Sequence, residues 1–242
     1  MPMMEGGLDV SPLSRRDRMN VVLQRSDVLG YSRAAYDVVR DWEAGDDEPL
    51  QMAVAENGAD YVNSAAEIIS EEFEEVRGLL ERVHHKRIAD IGCGYGLFGL
   101  FAARALNCDL LLIDIEKTKE RHFGFAEQGA GYADLSAAVD FLSANGVARD
   151  RIATWNPLKE DLPDGPRVDI AVSFLSCGFH YPVDMYLPFF EHAVTPRGAI
   201  VLDLRASEAD ENIAKLENVG KVRVLQAKPG LKRVLVKKWD KS

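Results

Sequence analysis

The sequence predicts an α/β protein. It would have a doubly wound, mostly parallel seven-stranded sheet, an antiparallel C-terminal hairpin and a helical N-terminal extension. Three observations point there. From Arg87 onward, short apolar runs alternate with helical patterns, the order that builds a parallel sheet with helices on both faces. A glycine-rich turn, Gly92-Cys93-Gly94-Tyr95-Gly96, joins the first of those runs to the first of those helices. Near the C-terminus, two strand-like segments flank Pro229-Gly230, a pair suited to a tight turn.

Taken in order, residues 1–84 form the helical extension and 85–242 the sheet domain. Val21, Val22 and Leu23 belong to a helix that ends near Gly30, and Tyr31 to Trp42 form a second. Gly45-Asp46-Asp47 makes a turn. Asn63-Ser64 is the expected cap of a long helix carrying Ile68, Ile69, Phe73, Val76, Leu79 and Leu80 on one face. Strands follow at Arg87–Ile91, Asp109–Asp114, Arg151–Trp155, Val168–Phe174 and Gly198–Leu204. The run DLLLID has almost no polar interruption, as a strand covered on both faces requires. Helices are expected at Leu97–Leu106, Leu135–Asn145 and Tyr186–Ala193, and the last two strands at Lys221–Ala227 and Lys232–Lys238.

The composition narrows the functional class. With 242 residues, the chain is long enough for one full core. A formal net charge of -10 opposes binding to phosphate backbones, so a nucleic-acid partner is not expected. Cys93, Cys108 and Cys177 are too widely spaced for a zinc ligand set or a disulfide framework. They read as reduced thiols in a cytoplasmic protein. The N-terminal residues show no signal-peptide pattern, and no apolar run is long enough to span a bilayer. No metal site and no membrane partner are expected.

The chemistry concentrates in Asp90-Ile91-Gly92-Cys93-Gly94-Tyr95-Gly96-Leu97-Phe98-Gly99. Four glycines within eight residues let backbone amides approach a ligand, and the helix start beyond them attracts negative charge. Two ligand classes compete for this turn. Gly94, Gly96 and Gly99 spell a GxGxxG dinucleotide fingerprint, and Asp114 stands 20 residues after Gly94, where a ribose-binding acid belongs. An NAD-dependent oxidoreductase is therefore one alternative. Against it, Asp90 places a carboxylate two residues before the first glycine. That suits a cationic ligand better than a pyrophosphate.

Asp90-Ile91-Gly92-Cys93-Gly94-Tyr95-Gly96 resembles the first motif of the class I S-adenosylmethionine-dependent methyltransferases, which have a Rossmann-like fold. The resemblance runs from about Arg87 to Lys238. It implies S-adenosylmethionine as cofactor, held by Asp90, Gly92, Cys93, Gly94 and Gly96. It further implies Asp114 on the ribose hydroxyls, Ile115 against the adenine and Asn156 at the adenine amine. Ser173 and Phe174 would lie near the site of methyl transfer. A catalytically inactive cofactor-binding protein remains a second alternative.

Two loops are the expected substrate region, since ligands of such sheets sit beyond the carboxyl ends of the strands. In Ser176-Cys177-Gly178-Phe179-His180-Tyr181-Pro182, His180 is the candidate general base, because imidazole changes charge near neutral pH. Tyr181 is a second catalytic candidate, Phe179 a substrate contact and Asp184 a weaker candidate. In the other loop, Arg121, His122 and Tyr132 are candidate substrate contacts. Both loops resemble those of bacterial sugar or surface-polysaccharide O-methyltransferases, although Cys177 stands where that group would carry an aromatic. The resemblance implies O-methylation of a small, sugar-like acceptor. The helical extension is expected to close the pocket or to form a homodimer surface, with Trp42 and Tyr61 as residues of interest.

Overall fold

A computed structural model describes residues 7–83, 87–116, 133–162 and 167–240. Seven strands form one sheet: β1 (Arg87–Ile91), β2 (Asp109–Ile113), β3 (Ile152–Trp155), β4 (Val168–Ser173), β5 (Val194–Arg205), β6 (Gly220–Lys228) and β7 (Leu231–Lys238). Their order is β3-β2-β1-β4-β5-β7-β6. Strands β1 to β5 pair in parallel, whereas β7 pairs antiparallel with both β5 and β6. The order reverses between β1 and β4, which opens a crevice at their carboxyl ends.

Alternation along the central strands sorts their side chains onto two faces. Ile88, Leu110, Leu112, Ile170 and Val172 join one core, with the helices α3 (Glu48–Leu80), α4 (Leu97–Leu106) and α5 (Leu135–Ala144). Ala89, Ile91, Leu111, Ile113 and Ala171 join the other, with α6 (Leu187–His192) and α7 (Ala209–Leu216). A third cluster fills the N-terminal helices: Val22 and Leu23 of α1 (Arg15–Gln24), Trp42 of α2 (Arg33–Glu43), and Leu50 and Val54 of α3, with Tyr61 packed against it. The first core also takes in Leu13, Val21, Val62, Ala65 and Phe73, so the N-terminal helices are packed directly onto the sheet layer.

Several elements depart from the sequence reading. The long helix starts at Glu48, fifteen residues before the expected cap. Pro49 occupies its first turn, where a missing N–H costs nothing. The buried series Leu50, Val54, Gly58, Val62 and Ala65 then continues the helical stripe through Asn63. The helix bends where Asn57 leaves helical geometry (φ -127°, ψ 15°). Asn63 instead donates to the Ala59 carbonyl and accepts from Leu8 N–H, tying down the N-terminal segment. Strand β5 begins at Val194 rather than Gly198, α7 was absent from the sequence reading, and a single 3₁₀ turn (Val183–Tyr186) precedes α6. Among the described residues, no helix is long and apolar enough to cross a membrane, and no cluster of metal-ligating side chains occurs.

Candidate active site

The glycine turn owes its shape to backbone conformations that side chains resist. Gly92 and Gly94 have φ of 69° and 56°. A Cβ at Gly92 would collide with the Ser176 hydroxyl, and one at Gly94 with the Gln24 side-chain amide. The Gly92 and Cys93 N–H groups both donate to the Ile113 carbonyl, which locks the turn to the end of β2. Helix α4 follows directly from Gly96.

Two carboxyls flank this turn. Asp90, 4% exposed, lies inside β1 and accepts from Gly99 N–H. Asp114, 8% exposed, follows β2 and accepts from Gly94 N–H (2.9 Å) and Glu116 N–H (3.0 Å). Burial pushes Asp90 up to about 7, with a smaller push from the nearby Asp114; the Gly99 hydrogen bond opposes it. Burial likewise raises Asp114 to about 6. An ionised carboxylate has about four acceptor positions. Asp114 and Asp90 thus both keep capacity for further donors, Asp90 the more of the two.

Both acids line a cavity of about 410 Å³ at the switch point. Its floor is Gly92, Cys93, Gly94 and Ile115. Phe98, Phe174, Leu175 and Tyr186 supply apolar and aromatic walls. Leu175 adopts φ of 58°, a left-handed conformation costly for a bulky residue, just where the chain turns from β4 into the cavity wall. Opposite, Leu23, Gln24, Arg25, Ser26 and Asp27 from the end of α1, with Ile69 and Glu72 of α3, complete the enclosure. Arg25 and Glu72 form an ion pair.

The loop after β4 is knotted around one acceptor. The Ser176 carbonyl receives the N–H groups of Phe179, His180 and Tyr181, and Gly178 N–H bonds to the Tyr181 carbonyl. This compact turn brings His180 and Tyr181 onto the cavity. Arg205 braces it from outside, donating from Nε to the Phe179 carbonyl and stacking its guanidinium over the Phe179 ring at 4.8 Å.

Of the residues singled out in the sequence, Asp90, Gly92, Cys93, Gly94, Asp114, Ile115, His180 and Tyr181 line one cavity. Others stand behind its wall. Asn156 is 2% exposed, and its amide is engaged with the Ile115 carbonyl, Glu116 and Leu158 N–H, so it secures the loop that carries Ile115. Ser173 is fully buried and links the Ile91 carbonyl to Cys177 N–H. Gly96 abuts Leu142 of α5, Phe179 lies under Arg205, and Asp184 pairs with Lys215. Trp42 belongs to the cluster of the N-terminal helices. Arg121, His122 and Tyr132 lie outside the described residues. Sequence reasoning missed Gln24 to Asp27, Ile69, Glu72, Phe98 and Tyr186 as cavity residues. Ile69 and Phe98 sit in apolar helical stripes that look like core, and no local signal marks them as wall.

The fold is that of the class I methyltransferases: a seven-stranded sheet with an antiparallel β7 inserted beside β5, and a glycine turn after β1. Among solved structures, an O-methyltransferase proposed from Nostoc punctiforme shares 14% identity with the chain, with a TM-score of 0.53 over 92% of this chain and 72% of that one. The T. thermophilus 16S rRNA N2 G1207 methyltransferase, solved with AdoMet and guanosine, shares 18% identity at a TM-score of 0.50. That match covers 72% of this chain but only 42% of the rRNA enzyme. No protein-family model and no curated protein sequence matches the chain.

Proposed function

We propose that this chain transfers the methyl group of S-adenosylmethionine to a hydroxyl of a small polar acceptor, sugar-like in class. One observation carries the reading: two buried carboxyls, Asp90 and Asp114, flank a glycine turn inside a cavity at the switch point of a methyltransferase-type sheet. Two carboxyls at this spot suit a ligand that carries an ammonium, a diol and a positively charged sulfur. When bound, that cofactor supplies a methyl carbon already activated towards displacement.

The residues present fit such a group. Asp90, once ionised, has acceptor positions for an ammonium. The acceptor capacity left on Asp114 suits the hydroxyls of a ribose. Ile115, 7% exposed, offers an apolar surface for a flat base. Gly92 and Gly94 line the cavity with bare backbone, which lets a ligand approach the main chain there. Phe98, Phe174 and Leu175 exclude water, which would otherwise compete with the acceptor. His180 takes the proton of the acceptor hydroxyl, and Tyr181 orients that hydroxyl. Alignment accounts for most of the rate, since the displacement is in line and the methyl group is already reactive.

A dinucleotide is disfavoured by two details. The GxGxxG register needs the first strand to continue to Cys93, yet β1 ends at Ile91. The antiparallel β7 inserted between β5 and β6 also departs from the 3-2-1-4-5-6 strand order of the dinucleotide-binding sheet. The acceptor class rests on the loop resemblance and on charge. Four carboxylates in the cavity wall and a net charge of -10 favour a small uncharged acceptor over a polyanion.

Calorimetric titration with S-adenosylhomocysteine, with NAD in parallel, tests the cofactor. Binding of the homocysteine compound alone is expected, and Asp114→Ala should lose it while staying folded. Binding of NAD alone would overturn the reading. Labelled methyl transfer to a panel of sugars then tests the acceptor. His180→Ala should slow it about 100-fold or more, with the homocysteine compound still bound. Cofactor binding without turnover on any acceptor would favour an inactive binding protein.

A further inference from the structure

Tyr95 has no place in the chemistry above, yet it stands between Gly94 and Gly96, in the middle of the turn that must hold the ligand. It is 1% exposed and does not line the cavity. Its hydroxyl donates to Asp17 Oδ1 at 2.8 Å and accepts from Asn20 Nδ2 at 2.9 Å. Both partners are on α1, and both are 7% exposed.

Asp17 is itself fixed in orientation. Its other oxygen accepts from Ser14 N–H and Ser14 Oγ, closing the box that caps the start of α1. The carboxylate therefore joins two tasks: it starts the helix and holds the tyrosine of the glycine turn.

The other end of α1 meets the same turn. Gln24, the last residue of the helix, fills the space beside Gly94 that a side chain there would need. Arg25 follows, pairs with Glu72, and lines the cavity with Ser26 and Asp27. Tyr95 thus pins α1 at Asp17 and Asn20, and α1 presents its C-terminal end to the ligand space. Backbone hydrogen bonds hold the start of the turn to the end of β2, and Tyr95 adds a second grip on it from α1.

We propose that Tyr95 is a positioning residue that couples the docking of α1 to ligand binding at the glycine turn, through the Asp17–Tyr95–Asn20 hydrogen bonds. The proposal rests on the reading of this cavity as the cofactor site. Because coupling is reciprocal, a ligand seated on the turn steadies α1, and a poorly docked α1 weakens the ligand.

Tyr95→Phe keeps the ring and removes only the hydroxyl. S-adenosylhomocysteine affinity is measured at a temperature where wild type and variant are both fully folded. Amide hydrogen exchange over residues 15–27 is followed with and without the compound. We expect affinity to fall about 5–30-fold, the loss of one buried hydrogen bond to a carboxylate and one from an amide. In the wild type the compound should slow exchange over 15–27, and in the variant that protection should vanish while protection of β1 persists. A lower melting temperature with unchanged affinity and unchanged protection would make Tyr95 a packing residue only and overturn the proposal. Asn20→Ala, which also lies off the cavity, decides by the same two readouts if Tyr95→Phe does not fold. A wild type that binds NAD instead overturns the cofactor reading alone, and the exchange comparison with NAD then decides the coupling. A wild type that binds neither overturns both.

Discussion

Asp90 and Asp114 hold acidic protons far more tightly than free carboxyls because the folded chain removes them from water. Their ordinary value of 3.8 rises to about 7 and about 6. The folded state therefore binds more protons than the unfolded state between about pH 4 and 7. The stability tied to these groups is fully present below about pH 4 and is lost as pH rises through 6 to 7. At neutral pH the ligand-free protein carries an electrostatic cost that a cationic ligand relieves. Asp90→Asn should then raise the ligand-free melting temperature at pH 8 by a few degrees, while abolishing S-adenosylmethionine binding. Thermal scans with and without ligand check both halves; a variant that melts lower than wild type at pH 8 would contradict the burial argument. In the wild type, S-adenosylmethionine should bind more tightly as pH rises from 5 to 8, more steeply than its uncharged-sulfur product. The presence of both acids was legible from their spacing around the glycines. Their burial was not, because it depends on what covers the turn.

At the level of elements, α3, β5 and β7 are joined by a charge network centred on a buried arginine that the sequence hides. Arg233 is 5% exposed and grips Asp203 of β5 with two hydrogen bonds of 2.6 and 2.9 Å, while its third nitrogen reaches Glu75 of α3 at 2.7 Å. Its guanidinium also lies 4.7 Å from the centre of the Phe174 ring, a cavity wall. Phe174 packs in turn on Phe98, and Phe98 on Phe73 of α3. Arg233→Ala would leave Asp203, 1% exposed, as an unpaired buried charge, so a loss of about 3–5 kcal/mol is expected. Denaturant unfolding measures it. Replacing both partners by apolar residues should recover much of that loss, since the remaining charge is then gone. In the sequence, Arg233 is one of several basic residues in the last strand, and nothing local marks it as buried. Glu75 reads as one of many solvated glutamates. Only the pairing of β7 with β5 buries Arg233 against Asp203, while Glu75 stays exposed at the rim of the network. The early start of α3 is legible in Pro49 and in the stripe from Leu50 to Val62.

Across the whole molecule, the cavity draws its walls from both the sheet and the N-terminal helices, so ligand binding should stabilise the chain as a unit. S-adenosylhomocysteine at 100 times its dissociation constant should add about 2.7 kcal/mol, which is on the order of 5–10 °C in melting temperature for a chain of this size. Scanning calorimetry should show one transition moving upward; a shift confined to part of a split transition would mean that the two regions melt separately. The sequence by itself determined the alternation of strands and helices, the glycine turn with its two acids and the C-terminal hairpin. These are written in local periodicity and in residues whose backbone freedom is needed on the spot. Tertiary structure alone decided that Gln24 to Asp27 close the cavity, that Tyr95 grips α1, that Asn156 and Ser173 stand behind the wall, and that Arg233 is buried. Each of those depends on which distant segments come to lie against one another, and period-2 or period-3.6 patterning carries no information about the identity of the neighbour.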